Sequence, residues 1–220
     1  MDVRDAVLAR RSVRAFRPDP VPRALVEDIL DVARRAPSGG NLQPWLVYVL
    51  TGPALEAFTS QVVAQFKAGV RETPDYEVYP PRLWEPYRGR RREAGIERYE
   101  ALGLSRDEGG QDLLSEMNYS FFGAPVGLFF ALERNMGSPQ WSDLGMFMQT
   151  IMLLAVGQGL ATCPQEVWSN WPKTIGSFLG MPEEQMIFAG MAMGYADDSA
   201  ALAKTRTARV EPAAFVTWRD

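Results

Sequence analysis

A chain of 220 residues that is 46% hydrophobic and 23% charged has enough apolar material for a full core and reads as an ordinary soluble globular protein of one domain or a small pair. A net charge of -4 argues against a general nucleic-acid binder. The absence of histidine removes His-based triads, most zinc sites and the usual neutral-pH acid–base catalyst. The single cysteine, Cys163, excludes an intrachain disulfide and fits a reducing compartment. Asp2, Arg4 and Asp5 interrupt the apolar run that a secretory leader needs, and glycines and glutamines interrupt 144–160, so a cytoplasmic protein without a membrane span is expected. No protein-borne metal centre is expected. If the chain is an enzyme, a bound organic cofactor carries the difficult chemistry.

Residues 3–9 have helical apolar spacing, and directly after them come Arg10, Arg11, Ser12, Val13 and Arg14. Three guanidiniums and a hydroxyl within five residues suit phosphate oxygens. A plain alternative is a solvated helix end whose cations complement the dipole. Pro18, Pro20 and Pro22 make an extended connector. A helix is predicted over 23–36, where Leu25, Ile29, Val32, Ala33 and Ala36 recur at three- and four-residue intervals before Pro37. Ser38, Gly39, Gly40 and Asn41 form a tight loop whose backbone another group can approach closely. A buried strand is predicted at 46–50 and a third helix at 53–68.

The stretch 69–115 changes character. Prolines and aromatics mix there with Arg82, Arg88, Arg90, Arg91 and Arg92, as in a lid or binding excursion or in a solvated helical hairpin. Strands follow at 126–132 and 185–193, a short strand or turn at 162–167, and a helix at 172–179. The helix at 143–157 is apolar on nearly all faces, which fits a central core helix or a large subunit interface. In the tail, 200–220, Lys204, Arg206 and Arg209 precede Phe215, Val216 and Trp218, an apolar end that predicts docking against a partner subunit.

Taken together, the chain resembles the FMN-dependent nitroreductase family. The matching residues are the 10–14 cluster, then 36–41 with Gln43, Pro44 and Trp45. Further on, Gly157, Gln158, Gly159 and Leu160 precede Cys163, Pro164, Gln165 and Glu166, and Gly194 and Tyr195 precede Lys204, Thr205 and Arg206. The insertion and the Phe121 to Pro125 stretch look most like the nitrobenzoate-reductase-like branch. The resemblance implies a single domain, 1–220, of α+β fold, a mixed and mostly antiparallel sheet wrapped by helices, in a domain-swapped homodimer with FMN at two sites across the interface. It assigns phosphate and ribityl contacts to Arg10, Arg11, Ser12, Lys204 and Arg206, and the pyrimidine edge of the ring to Arg14. Pro37, Ser38, Gly39 and Asn41 would come from the other chain, and the backbone of Pro164, Gln165 and Glu166 would face the flavin N5 and O4 edge. A lid at 70–116 would bring Trp84, Tyr87 and Tyr99 to the substrate.

The implied activity is ping-pong transfer of hydride from NADPH or NADH through flavin N5 to a small aromatic acceptor, a nitro compound or quinone. Physical reasoning supports the assignments. A phosphate monoester carries close to two negative charges at neutral pH, so cations from distant segments would neutralise it. A guanidinium at the pyrimidine edge would stabilise reduced flavin and raise its potential. Rival readings are a flavin-dependent dehalogenase or dehydrogenase of the same fold, a flavin-binding protein without turnover, and a phosphate- or RNA-binding module. The first leans on a lid with acidic, tyrosine and lysine side chains; here 69–115 has Glu77, Glu85, Tyr87 and Glu97 but no lysine.

Overall fold

In the strand β2 (Val126–Glu133) seven successive residues are buried, and the rest of the chain is layered on its two faces. The computed structural model describes residues 1–219, the side chain of Lys204 excepted. β2 lies between β1 (Leu46–Thr51) and β4 (Gln185–Gly194), and β3 (Ala161–Gln165) pairs with the far side of β4. All three pairings are antiparallel. The four-stranded sheet is therefore antiparallel throughout and not mixed; the one parallel pairing among the described residues is the isolated Ser12–Thr162 bridge outside the named strands.

Helices cover both faces of the sheet, which is why β2 and β4 read as unbroken apolar runs and do not alternate. Val126, Leu128, Phe130 and Leu132 point into one layer, against α2 (Arg23–Ala33) and α6 (Ser138–Gly157). Phe129 and Ala131 point into the other, with Phe58 of α3 (Gly52–Lys67), Phe121, Trp168 and Ile175 of α7 (Pro172–Leu179). Side-chain bulk on this second face leaves room for hydrogen only at Gly190, where a Cβ would sit 2.3 Å from Trp168 Cδ1.

α2 stops at Ala33, three residues short of the predicted end, because the N–H groups of Arg35 and Ala36 bond back to Val32 and Ala33 in a tightened turn ahead of Pro37. The insertion carries α4 (Tyr87–Ala101) and α5 (Gln111–Tyr119), and α4 buries no residue. α6 buries Leu144, Phe147, Met148, Ile151, Met152 and Ala155, yet Met146 on its other side is 38% exposed. Its apolar circumference is thus only partly covered within one chain. α1 (Val3–Ala9) is similar, with Ala6 buried and Val3, Val7 and Leu8 exposed. No helix among the described residues is long and apolar enough to cross a membrane.

Candidate functional site

α1 ends at Arg10, whose N–H closes on the Ala6 carbonyl before the chain turns extended. The extended segment docks on β3: Val13 N–H donates to the Thr162 carbonyl at 2.9 Å. The docking directs the basic side chains toward the tail. Arg11 Nη1 donates to the Ala203 carbonyl at 2.9 Å, and its Nη2 donates to Asp198 Oδ1 at 2.8 Å. Arg206 Nη1 donates to the same Ala203 carbonyl at 2.8 Å. Two guanidiniums from opposite ends of the chain therefore meet at one oxygen.

The setting shows in the acidity of Arg11. Burial and then the Arg206 charge pull the Arg11 guanidinium below its ordinary pKa, and Asp198 opposes them. Burial and then Arg209 do the same to Arg10, with Cys163 opposing. Among the described residues, Asp198 is the only carboxylate in a salt bridge with a guanidinium of Arg10, Arg11, Arg206 or Arg209, and its side chain is 78% exposed; the Glu97 carboxylate accepts from the Arg206 backbone N–H. Like charges held together with so little compensation make a local excess of positive potential.

A cavity of about 810 Å³ opens beside this cluster. Arg14, Tyr79, Arg98, Asn118, Pro164 and Glu166 are among its lining residues. Arg14 Nη1 donates to the Ser12 carbonyl at 3.3 Å. Arg98, on α4, is half-buried; its Nε has no partner, and burial followed by the Arg14 charge lowers its pKa. Complete burial raises the Cys163 thiol, although Arg14, Arg98 and Arg10 pull the other way. With burial the largest influence, Cys163 is a protonated wall residue and not an activated nucleophile. Burial also pushes Glu166 up, although much of its surface remains open to solvent.

The remaining predicted residues divide into several groups. Ser12 holds the bridge to Thr162. Pro164 and Glu166 line the cavity, whereas the Gln165 side chain is buried beneath it and donates to Asn118 O at 2.7 Å and Oδ1 at 2.6 Å. Pro37, Ser38, Gly39 and Asn41 lie in a loop against α6, where Gly39 N–H donates to Asp143 Oδ2 at 3.2 Å and Ser38 Oγ accepts from Gln43 N–H at 3.0 Å. That loop contributes nothing to the cavity walls of its own chain. Trp84 and Tyr87 are exposed and pack edge-to-face on each other at 5.4 Å, outside the cavity, while Tyr99 lines a neighbouring one. The side chain of Lys204 lies outside what the structure describes.

Sequence reasoning missed Arg98, Tyr79, Asn118 and Arg209. Tyr79 was within reach as one of several aromatics in the insertion. Nothing local distinguishes Arg98 from its neighbours on a highly charged helix.

Residues 7–195 match the sequence pattern described as the Nitroreductase family. The chain is 39% identical over 216 residues to a chloronitrobenzene nitroreductase of Comamonas testosteroni, covering 97% of this chain and 95% of the relative. It is 39% identical over 207 residues to a 4-nitrobenzoate reductase of Pseudomonas putida, covering 93% and 90%. Among solved structures, the FMN and NADPH-dependent nitroreductase NfnB from sphigopyxis sp. strain HMH superposes with a TM-score of 0.96 at 42% identity, covering 100% of both chains. The FMN-dependent nitroreductase NfnB from Mycobacterium smegmatis, solved in complex with NADPH, gives a TM-score of 0.92 at 31% identity, again over 100% of both chains. The match thus runs over nearly the whole sequence and the fold over the whole of both chains, and the chain belongs to the Nitroreductase family.

Proposed function

We propose that the protein is an FMN-dependent NAD(P)H oxidoreductase that reduces nitroaromatic compounds or quinones, acting as a cytoplasmic homodimer. The observation that carries this reading is the meeting of Arg10, Arg11, Arg206 and Arg209 beside a cavity that holds Arg14. Such an excess of guanidiniums fits a dianionic phosphate, whose charge would offset the burial, and secondarily the like charges, that lower the pKa values of Arg10 and Arg11. Bound FMN would supply the electron exchange, taking hydride from the nicotinamide and passing electrons to the acceptor.

The chain's own residues would do the positioning. Arg10, Arg11, Ser12, Lys204 and Arg206 hold the phosphate and ribityl end. Arg14 faces the pyrimidine edge and favours negative charge there, since its guanidinium sits in a partly desolvated wall. The backbone of Pro164, Gln165 and Glu166 lies along the ring. The partner subunit's Pro37, Ser38, Gly39 and Asn41 complete the site, which accounts for a donor-rich loop with no role in its own cavity. The uncovered faces of α1 and α6, with Phe215 at 69% and Trp218 at 85% exposure, give the two copies apolar surface to join. The insertion at 70–116 covers the cavity as a lid, which excludes water and admits a flat aromatic acceptor.

The purified protein is expected to be yellow. Anaerobic NADPH or NADH should bleach it, and a nitroarene should restore the colour; a colourless protein ends the reading. Arg14→Ala is expected to lower reductase activity more than it lowers FMN retention. Equal losses in both would remove Arg14 from the ring.

A further inference from the structure

A second cavity, of about 980 Å³, lies beside the first and shares Pro81, Arg91, Arg98 and Gln111 with it. Six arginines line it: Arg82, Arg88, Arg91, Arg92, Arg98 and Arg106, against the single carboxylate of Glu100. Several are already engaged. Arg88 pairs with Glu85 at 2.8 Å, Arg91 stacks over Tyr79 at 4.1 Å, and Arg106 donates to Gln111 at 2.7 Å. Among the described residues, Arg82 and Arg92 have no ion-pair partner, and Arg98 Nε is buried with no hydrogen-bond partner. Charge of this density on one wall makes a positive potential suited to an anion.

We infer that this cavity binds the 2′-phosphate of NADPH and that Arg82 and Arg92 make NADPH preferred over NADH. The inference rests on the reading above, that a nicotinamide dinucleotide is the electron donor. NADPH and NADH differ only by that phosphate, a dianion at neutral pH that pairs with guanidinium forks. A ligand whose flat ring occupies the first cavity and whose anionic end reaches past Arg98 into the second must be long, as a dinucleotide is. Tyr99, Ile96 and Leu104 offer apolar surface for its adenine. The carboxylate of an aromatic acid sits one ring away from its nitro group and has no need of a second chamber.

The test uses the holoenzyme, wild type against the Arg82→Ala, Arg92→Ala double variant. Steady-state turnover with each dinucleotide is measured alongside calorimetric titration with 2′,5′-ADP. Both positions are exposed, so the fold should survive. In the variant, the preference for NADPH should fall about tenfold through KM, and 2′,5′-ADP should bind about tenfold more weakly. Arg90→Ala, outside the cavity, should keep the preference.

The inference is overturned if KM for NADPH and KM for NADH rise together. It is also overturned if 2′,5′-ADP binds both proteins equally, or if only a carboxylated nitroarene loses affinity relative to a neutral one. If neither dinucleotide reduces the wild-type flavin, the electron-donor reading fails instead, and the 2′,5′-ADP titration still decides whether the cavity takes a ribose phosphate.

Discussion

Strand β2 buries seven of its residues, whereas α4, nearly twice as long, buries none. β2 is apolar to Leu132 and is paired along both edges. α4 is dominated by arginine and glutamate and is tied down by a few polar contacts, among them Arg206 N–H to the Glu97 carboxylate. The contrast separates two tasks. The sheet and its helical layers supply stability through apolar burial. The insertion contributes little to that, which frees it to carry charge and selectivity on a rigid frame. The basic segment at Arg10 to Arg14 lies between the two, because its backbone is docked on β3 while its side chains face the cavity and the tail.

The sharpest way to break the comparison is at the sheet side. Trp168 is fully buried among Phe58, Phe121, Phe129 and Tyr119, with ring centroids 4.7 to 5.6 Å apart. Trp168→Ala should therefore cost about 3–5 kcal/mol in urea unfolding, and a loss below ~1 kcal/mol would mean that this face is not the stabilising core.

An intermediate effect is expected where the two regions join. The Tyr76 hydroxyl donates to the Phe188 carbonyl of β4, and burial pushes its pKa up from 10.0 to about 12. Tyr76→Phe should cost about 1 kcal/mol by removing that hydrogen bond. Because the folded state keeps its proton where the unfolded state loses it, this residue's contribution is complete below pH 10.0 and is lost as pH rises to about 12. Unfolding of the variant should lack that alkaline component; an unchanged alkaline slope would deny Tyr76 the role.

The smallest effect belongs to the insertion. Arg90 lies over the Tyr87 ring at 5.6 Å and touches neither cavity. Arg90→Ala should shift stability by no more than about 0.5 kcal/mol. A shift above 1 kcal/mol would show that α4 carries the fold after all.

Local pattern was enough to find most elements outside the insertion, although α6 begins at Ser138 and not at 143, β3 ends at Gln165 and not at 167, and α4 and α5 lie where a lid and a helical hairpin were both open readings. α7 falls on its predicted 172–179, and β2 and β4 each run one residue beyond their predicted ends. α2 ends three residues before its predicted end because a helical turn and a tightened 3₁₀ turn share the same apolar spacing. The phosphate-suited cluster was visible because its residues are consecutive. Along the insertion the choice among aromatics was not visible: of the expected Trp84, Tyr87 and Tyr99, only Tyr99 lines a cavity, the second one, and Tyr79 lines the first.

By itself, then, the order of residues determined the strands, the helices outside the insertion and the family, since each depends on periodicity or adjacency along the chain. Only the folded chain decided that Arg11 and Ala203, 192 positions apart, would touch, and that one arginine of a solvated helix, Arg98, would turn inward between two cavities. Those outcomes depend on how layers pack across the sheet, and packing brings together residues whose separation in sequence carries no record of it.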